Sequence, residues 1–152
     1  MKFLGEISET QVEQVTEALA GLERFETIAV EVKGFGFFPD ARRPRVFWAG
    51  LAAPPALAEL AGRVETAMEK LGFAREQRPF KPHLTLARFK VPRPQPALQT
   101  LLEPEGGAGR DVSRPPAEPP LLGRFEVSDF FLYESKLSPL GAEYRKVARF
   151  PR

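Results

Sequence analysis

The sequence predicts an α+β fold of two similar lobes, each a sheet backed by helices. Three observations predict it. Strand-like runs alternate with two amphipathic helical stretches along the chain. The tripeptide Arg-Phe-Glu occurs twice, at 24–26 and 124–126, each time ahead of an apolar strand-like run and after a stretch of helical character. The 152 residues are 43% hydrophobic and include 13 phenylalanines, enough to fill the core of a single domain spanning residues 1–152.

Lys2 to Ile7 reads as a short strand. Ser8 is placed to cap a helix over about Glu9 to Leu22, with Val12, Val15, Leu19 and Leu22 as its apolar stripe. Phe25 to Phe38 reads as one long strand in which Gly34 and Gly36 permit a bend or bulge. After a polar turn to Pro44, Val46 to Leu51 forms the return strand. Pro54-Pro55 opens a second helix carrying Leu57, Leu60, Val64, Met68 and Leu71 on one face, and Gly72 stops it. A strand over His83 to Phe89 and a short helix near Pro96 to Leu102 follow. The stretch 92–120 holds half of the 16 prolines and three glycines, so 103–120 is expected to be a mobile loop. Strands at about Gly123 to Leu132 and Glu143 to Phe150 close the fold.

Composition removes several classes of chemistry. There is no cysteine, hence no disulfide, thiol nucleophile or thiolate metal site. With one histidine and scattered acids, no metal-ligand cluster of recognised spacing is present, and no cofactor is called for. The net charge of +2 and pI near 9.1 permit an anionic partner. No apolar run is long enough to span a membrane and no signal peptide is recognisable, so a cytoplasmic protein without a membrane partner is expected.

The only histidine, His83, carries the strongest chemical signal. Imidazole is the side chain that most readily exchanges protons near neutral pH. On a strand, His83, Thr85 and Ala87 share one face, while Leu84 and Leu86 point to the other and anchor the strand in a core. Arg75, Arg78, Lys81, Arg88, Lys90 and Arg93 surround it against only Glu76. A proton-transfer group, a hydroxyl donor and a cationic surround suit a phosphate ester.

The run Lys81-Pro82-His83-Leu84-Thr85-Leu86-Ala87-Arg88 resembles the second His-x-Thr-x signature of the two-histidine (2H) phosphoesterases, which include the RNA 2′,3′-cyclic phosphodiesterases, also called 2′-5′ RNA ligases (LigT-like). Met1-Lys2-Phe3-Leu4-Gly5-Glu6 is similar to the tail of that family's first signature. Gly34 to Pro39 with Pro44 to Gly50 resembles its central hairpin, and Leu132 to Ser135 with Gly141 to Tyr144 its C-terminal hairpin. The resemblance implies a two-lobed fold of antiparallel sheets around a central cleft. The first signature is absent, since Met1 occupies the place of its last residue, and a missing first strand and helix are expected. The internal repeat puts the counterpart of His83-Leu84-Thr85 just before Met1 as well.

The resemblance further implies hydrolysis of 2′,3′-cyclic phosphate RNA ends to 2′-phosphomonoesters, with His83 as proton acceptor, Thr85 as phosphate ligand and no metal. It also implies 2′-5′ RNA ligation as a possible reverse activity. Arg88 matches the family's trailing arginine and is assigned to substrate binding, although strict alternation points it away from His83. The partners implied are RNA with 2′,3′-cyclic phosphate ends, or cyclic nucleotides, bound by a monomer. The alternative is a catalytically weak or inactive module of the same fold that binds RNA ends or nucleotides. Trp48 and the phenylalanines are read as core, and Arg42, Arg43 and Arg45 as a solvated hairpin tip.

Overall fold

The computed structural model describes residues 2–102, 118–138 and 141–151. The stretch 103–117, where most of the expected mobile loop falls, lies outside the described residues. The element order is α1 (Glu9–Ala20), β1 (Ile28–Phe38), β2 (Val46–Ala52), α2 (Pro55–Lys70), β3 (His83–Arg88), α3 (Pro96–Gln99) with a 3₁₀ turn over Thr100–Leu102, β4 (Leu121–Val127), β5 (Asp129–Ser138) and β6 (Gly141–Pro151). The chain divides into two compact units. One comprises Met1–Ile28, Pro54–Phe80 and Glu126–Arg152; the other comprises Ala29–Ala53 and Lys81–Phe125.

In the first unit, two helices accompany the β5–β6 hairpin. Helix α1 starts where Ser8 stands because a capping box forms there. The Ser8 hydroxyl accepts from the Gln11 N–H at 3.3 Å, and Gln11 Oε1 accepts from the Ser8 N–H at 3.0 Å. Helix α2 begins on Pro55 and ends in a Schellman motif. Gly72 takes φ 87°, its N–H bonds the Glu69 carbonyl at 2.9 Å, and the Phe73 N–H bonds that of Met68 at 3.1 Å. The stripes of both helices meet the hairpin: Val15, Leu19, Met68 and Phe150 are buried together, with Leu4, Ile7, Val64 and Phe73 packed around them. Phe130 and Phe150 stack across the hairpin at 5.0 Å between centroids.

Two expectations are corrected here. Lys2 to Ile7 is not a strand: Gly5 takes φ 78°, which breaks the extended path, and Leu4 and Ile7 instead serve the core. The single strand expected over Gly123 to Leu132 is two, β4 and β5, which belong to different sheets and part between Val127 and Asp129.

The second unit is built on an antiparallel β1–β2–β3 array extended by β4, in the order β3-β2-β1-β4. One face of this sheet is its packing face. There Phe37, Phe47, Ala49 and Val30 are buried, Phe35 stacks on Phe47 at 5.5 Å, and Phe37 lies 5.1 Å from Phe47. Leu84 and Leu86 do not anchor β3 in that core: they are 43% and 51% exposed. The reason is position, because β3 is the sheet's edge and no strand among the described residues pairs with its outer side.

Two irregularities decide which side chains share the opposite face. In β1, Lys33 pairs with Gly50 and Phe35 with Ala49, leaving Gly34 as an extra residue. Gly34 sits at φ 64°, a conformation that favours glycine. In β3, Thr85 pairs with Trp48 and Ala87 with Phe47, so Leu86 is the extra residue. Each bulge reverses the alternation beyond it.

Candidate functional site

The register places His83 opposite Gly50 and Thr85 opposite Trp48, on the face away from the phenylalanine core. Both are exposed, as the alternation of the sequence requires. Arg88 is the correction. Strict alternation sends it to the other face, yet the bulge at Leu86 leaves it opposite Val46, which shares its face with Trp48 and Gly50. His83, Thr85 and Arg88 therefore lie on one face of β3.

His83 Nδ1 lies 2.6 Å from the Lys81 carbonyl oxygen. A carbonyl can only accept, so Nδ1 carries a proton and donates it. In the neutral ring the remaining nitrogen, Nε2, then holds the free lone pair. The local chain fixes this arrangement. Pro82 cannot donate a backbone hydrogen bond, but its carbonyl accepts from the Leu51 N–H at 3.2 Å, tying the start of β3 to β2.

Aromatic side chains flank the imidazole. The Phe38 ring meets that of His83 edge-on at 5.0 Å and 79°, and Trp48 lies 6.3 Å away at 60°. Phe38 also stacks on Trp48 at 5.1 Å. Reading Trp48 and Phe38 as core was wrong for this reason: β1 pairs Gly36 with Trp48 and Phe38 with Val46, so both rings stand on the His83 face.

Charge on this face is supplied from three strands. Lys33 pairs with Gly50, the same residue that faces His83, so Lys33, Gly50 and His83 form one row across the sheet. Glu31 lies on the same face, ties the Lys33 ammonium at 2.6 Å and accepts from Arg124 Nε of β4 at 2.8 Å. Hydrogen bonds from Lys33 and Arg124 hold the Glu31 carboxyl below its ordinary range, so it is ionised at neutral pH. Together with Arg88, these groups leave an excess of positive charge on the face. Lys33, Glu31 and Arg124 were not singled out from sequence as site residues; only Gly34 and Gly36, read as permitting a bend or bulge, pointed to the reversal that brings Lys33 round. Arg42 and Arg43 are exposed at the hairpin tip as expected, where Asp40 accepts from both of their backbone N–H groups at 2.7 and 3.0 Å. Among the described residues no group of three His, Asp or Glu side chains is arranged to hold a metal ion, and no helix is long and apolar enough to cross a membrane.

The sequence profile of the 2′-5′ RNA ligase superfamily matches residues 2–137, nearly the whole chain. This chain belongs to the 2′-5′ RNA ligase superfamily. Relatives within it are named RNA 2′,3′-cyclic phosphodiesterase. One, from Aeropyrum pernix, is 37% identical over 146 residues, which is 95% of this chain and 76% of that protein. Another, from Archaeoglobus fulgidus, is 33% identical over 97% of this chain and 75% of its own length. The superfamily fold is seen in solved structures too. A crystal structure of a Thermus thermophilus protein superposes with a TM-score of 0.71 at 29% identity, covering 98% of this chain and 74% of that one. Escherichia coli LigT complexed with 3′-AMP gives 0.68 at 23% identity, over 99% and 73%, and shares the fold.

Proposed function

We propose that this chain opens 2′,3′-cyclic phosphate ends of RNA, giving 2′-phosphomonoesters, with His83 Nε2 as the proton acceptor. The observation that carries this reading is the hydrogen bond from His83 Nδ1 to the Lys81 carbonyl, which commits the ring to presenting Nε2 as a base. In the reaction Nε2 takes a proton from water as the water oxygen bonds to phosphorus. The bond from phosphorus to the ribose 3′-oxygen breaks, and that oxygen leaves as an alcohol by taking a proton from the solvent. Negative charge gathers on the phosphoryl oxygens meanwhile. The Thr85 hydroxyl and the Arg88 guanidinium, on the same face, are the groups that stabilise it.

The chain carries one imidazole, whereas the family's signature comes in two copies. A second proton-transfer group typically contributes about 10²–10⁴-fold, so turnover by residues 1–152 alone is expected to fall short of a two-histidine enzyme by about that factor. This single-histidine composition also favours a second reading, in which the face binds RNA ends and turns them over very slowly. With a 5′-hydroxyl in place of water, the same displacement joins two ends through a 2′-5′ linkage.

The test compares one short RNA carrying a 2′,3′-cyclic phosphate, a 2′-phosphate or a 3′-hydroxyl at its end. Binding of the first two in preference to the third, with conversion of the first into the second, supports the proposal. Equal binding of all three contradicts both readings.

A further inference from the structure

We propose that Trp48, seated on Gly36 and Gly50 and covered by Phe38, is a positioning residue that holds the His83 imidazole in the orientation in which Nδ1 meets the Lys81 carbonyl. His83 is exposed, and among the described residues its ring has one hydrogen bond, to the Lys81 carbonyl. Two side-chain rotations remain to be fixed, and the neighbouring rings are what can fix them.

The seat is cut for an indole. A Cβ built on Gly36 would stand 2.1 Å from Trp48 Cζ2, 2.5 Å from Cη2 and 2.6 Å from Cε2. One on Gly50 would stand 3.4 Å from Cζ3 and 2.6 Å from the Lys33 carbonyl oxygen. Neither glycine has the positive φ that would require it for backbone reasons. Glycine in a strand interior weakens the strand, and it marks a place where another group comes close. Here the group is the indole, laid against the backbone of β1 with Phe38 stacked on it.

The indole is also a burden to the fold. Its Nε1 is buried and has no hydrogen-bond partner among the described residues. A buried donor left unpaired destabilises, and phenylalanine at this position would avoid it. What tryptophan adds over phenylalanine is reach. From its seat the indole lies 6.3 Å from the His83 ring, and together with Phe38 it forms an aromatic wall beside the imidazole. The catalytic consequence of this wall rests on the proton-acceptor reading of His83; the wall itself does not.

The test uses the chain's single histidine, whose ring needs no residue assignment in a ¹⁵N spectrum, Nδ1 and Nε2 being told apart by their couplings to the ring protons. In the native protein the neutral ring is expected almost wholly as the Nδ1–H tautomer. Trp48→Leu should let it relax toward the mixture of tautomers found in free histidine, and Trp48→Phe, which lacks the reach of the indole, should hold only part of the single form. Trp48→Phe should also unfold at the same or a higher denaturant concentration than the native chain. Where cyclic-phosphate hydrolysis is measurable, Trp48→Leu should lower kcat by roughly tenfold to a hundredfold with KM nearly unchanged, the signature of a misplaced group. If Trp48→Leu fails to fold, Phe38→Leu removes the other part of the wall and carries the same expectations. An unchanged Nδ1–H tautomer in a folded Trp48→Leu or Phe38→Leu protein overturns the proposal. Because the tautomer is read without substrate, absence of hydrolysis in the native chain would count against the proposed reaction and not against the positioning role.

Discussion

Gly36→Ala puts the reasoning about the indole seat to a quantitative trial. The added methyl would stand 2.1 Å from Trp48 Cζ2. Carbon atoms in ordinary contact are about 3.5–4.0 Å apart, so the ring must move by roughly 1.4 Å or more. It cannot sink, because β1 and β2 lie beneath it, and Phe38 stacks on it. Overpacking of this kind costs about 1–3 kcal/mol. Removing a strand glycine returns roughly 0.5–1 kcal/mol of that through chain entropy. For a domain of this length 1 kcal/mol corresponds to about 2–4 °C in Tm, so a fall of several degrees is expected. Gly62→Ala is the control: it lies inside α2, its Cβ would meet nothing within 4 Å, and it should raise stability by about 1 kcal/mol. The assay is thermal unfolding followed by circular dichroism and by the emission of Trp48, the chain's only tryptophan. In a Trp48→Leu background the cost of Gly36→Ala should largely vanish, since the clashing ring is gone. A Gly36→Ala protein as stable as the native one, with unchanged emission, would refute the seat.

Met68→Ala should cost about 2–5 kcal/mol in chemical denaturation, because Met68 is 1% exposed at the meeting of both helices and the hairpin. Glu65 supplies a pH test in the same unit. Burial raises its carboxyl pKa, but the hydrogen bonds from Lys2 and the Glu76 N–H and the nearby charges of Lys2 and Arg75 outweigh this and leave it lowered. A lowered folded-state value adds stability above the unfolded-state value of about 4.3, which is lost as pH falls through the folded-state value. The gap in unfolding free energy between the native chain and Lys2→Met should therefore be widest near neutrality and close in acid; a gap that stays constant with pH would count against this pair. Chelation with EDTA should leave any hydrolysis rate unchanged, and strong inhibition would overturn the single-imidazole mechanism. Light scattering should report a monomer; a concentration-dependent dimer would point to the unpaired edge of β3 and its exposed leucines.

The helices were legible because their signals are local: Ser8 at a cap, Pro55 at a first turn, Gly72 at a stop, and apolar residues every three or four. That His83 and Thr85 share one face was legible as well, since they stand two residues apart on a strand. Cross-strand placement was not. Arg88 changes face because of one extra residue in β3, and Lys33 joins the site face because of one extra residue in β1. Both depend on which residue pairs with which, and that is settled between strands far apart in sequence. Trp48 was misread on the same ground: its neighbours Gly36 and Gly50 are evident as glycines, but only the pairing shows that they bed one ring. Leu84 and Leu86 were assigned to a core by alternation, which cannot tell an edge strand from a central one.

In the proposed reaction His83 takes the proton when a 2′,3′-cyclic phosphate is opened. The measurement that meets it most directly is ³¹P NMR of an RNA ending in a 2′,3′-cyclic phosphate, incubated with the native chain and with His83→Ala. Because His83 is exposed, the substitution should leave folding intact within about 0.5 kcal/mol. A 2′-phosphomonoester signal should grow with the native chain, with no conversion above the buffer rate with His83→Ala. Equal rates from the two proteins, or a 3′-phosphomonoester as the product, would contradict the proposed reaction.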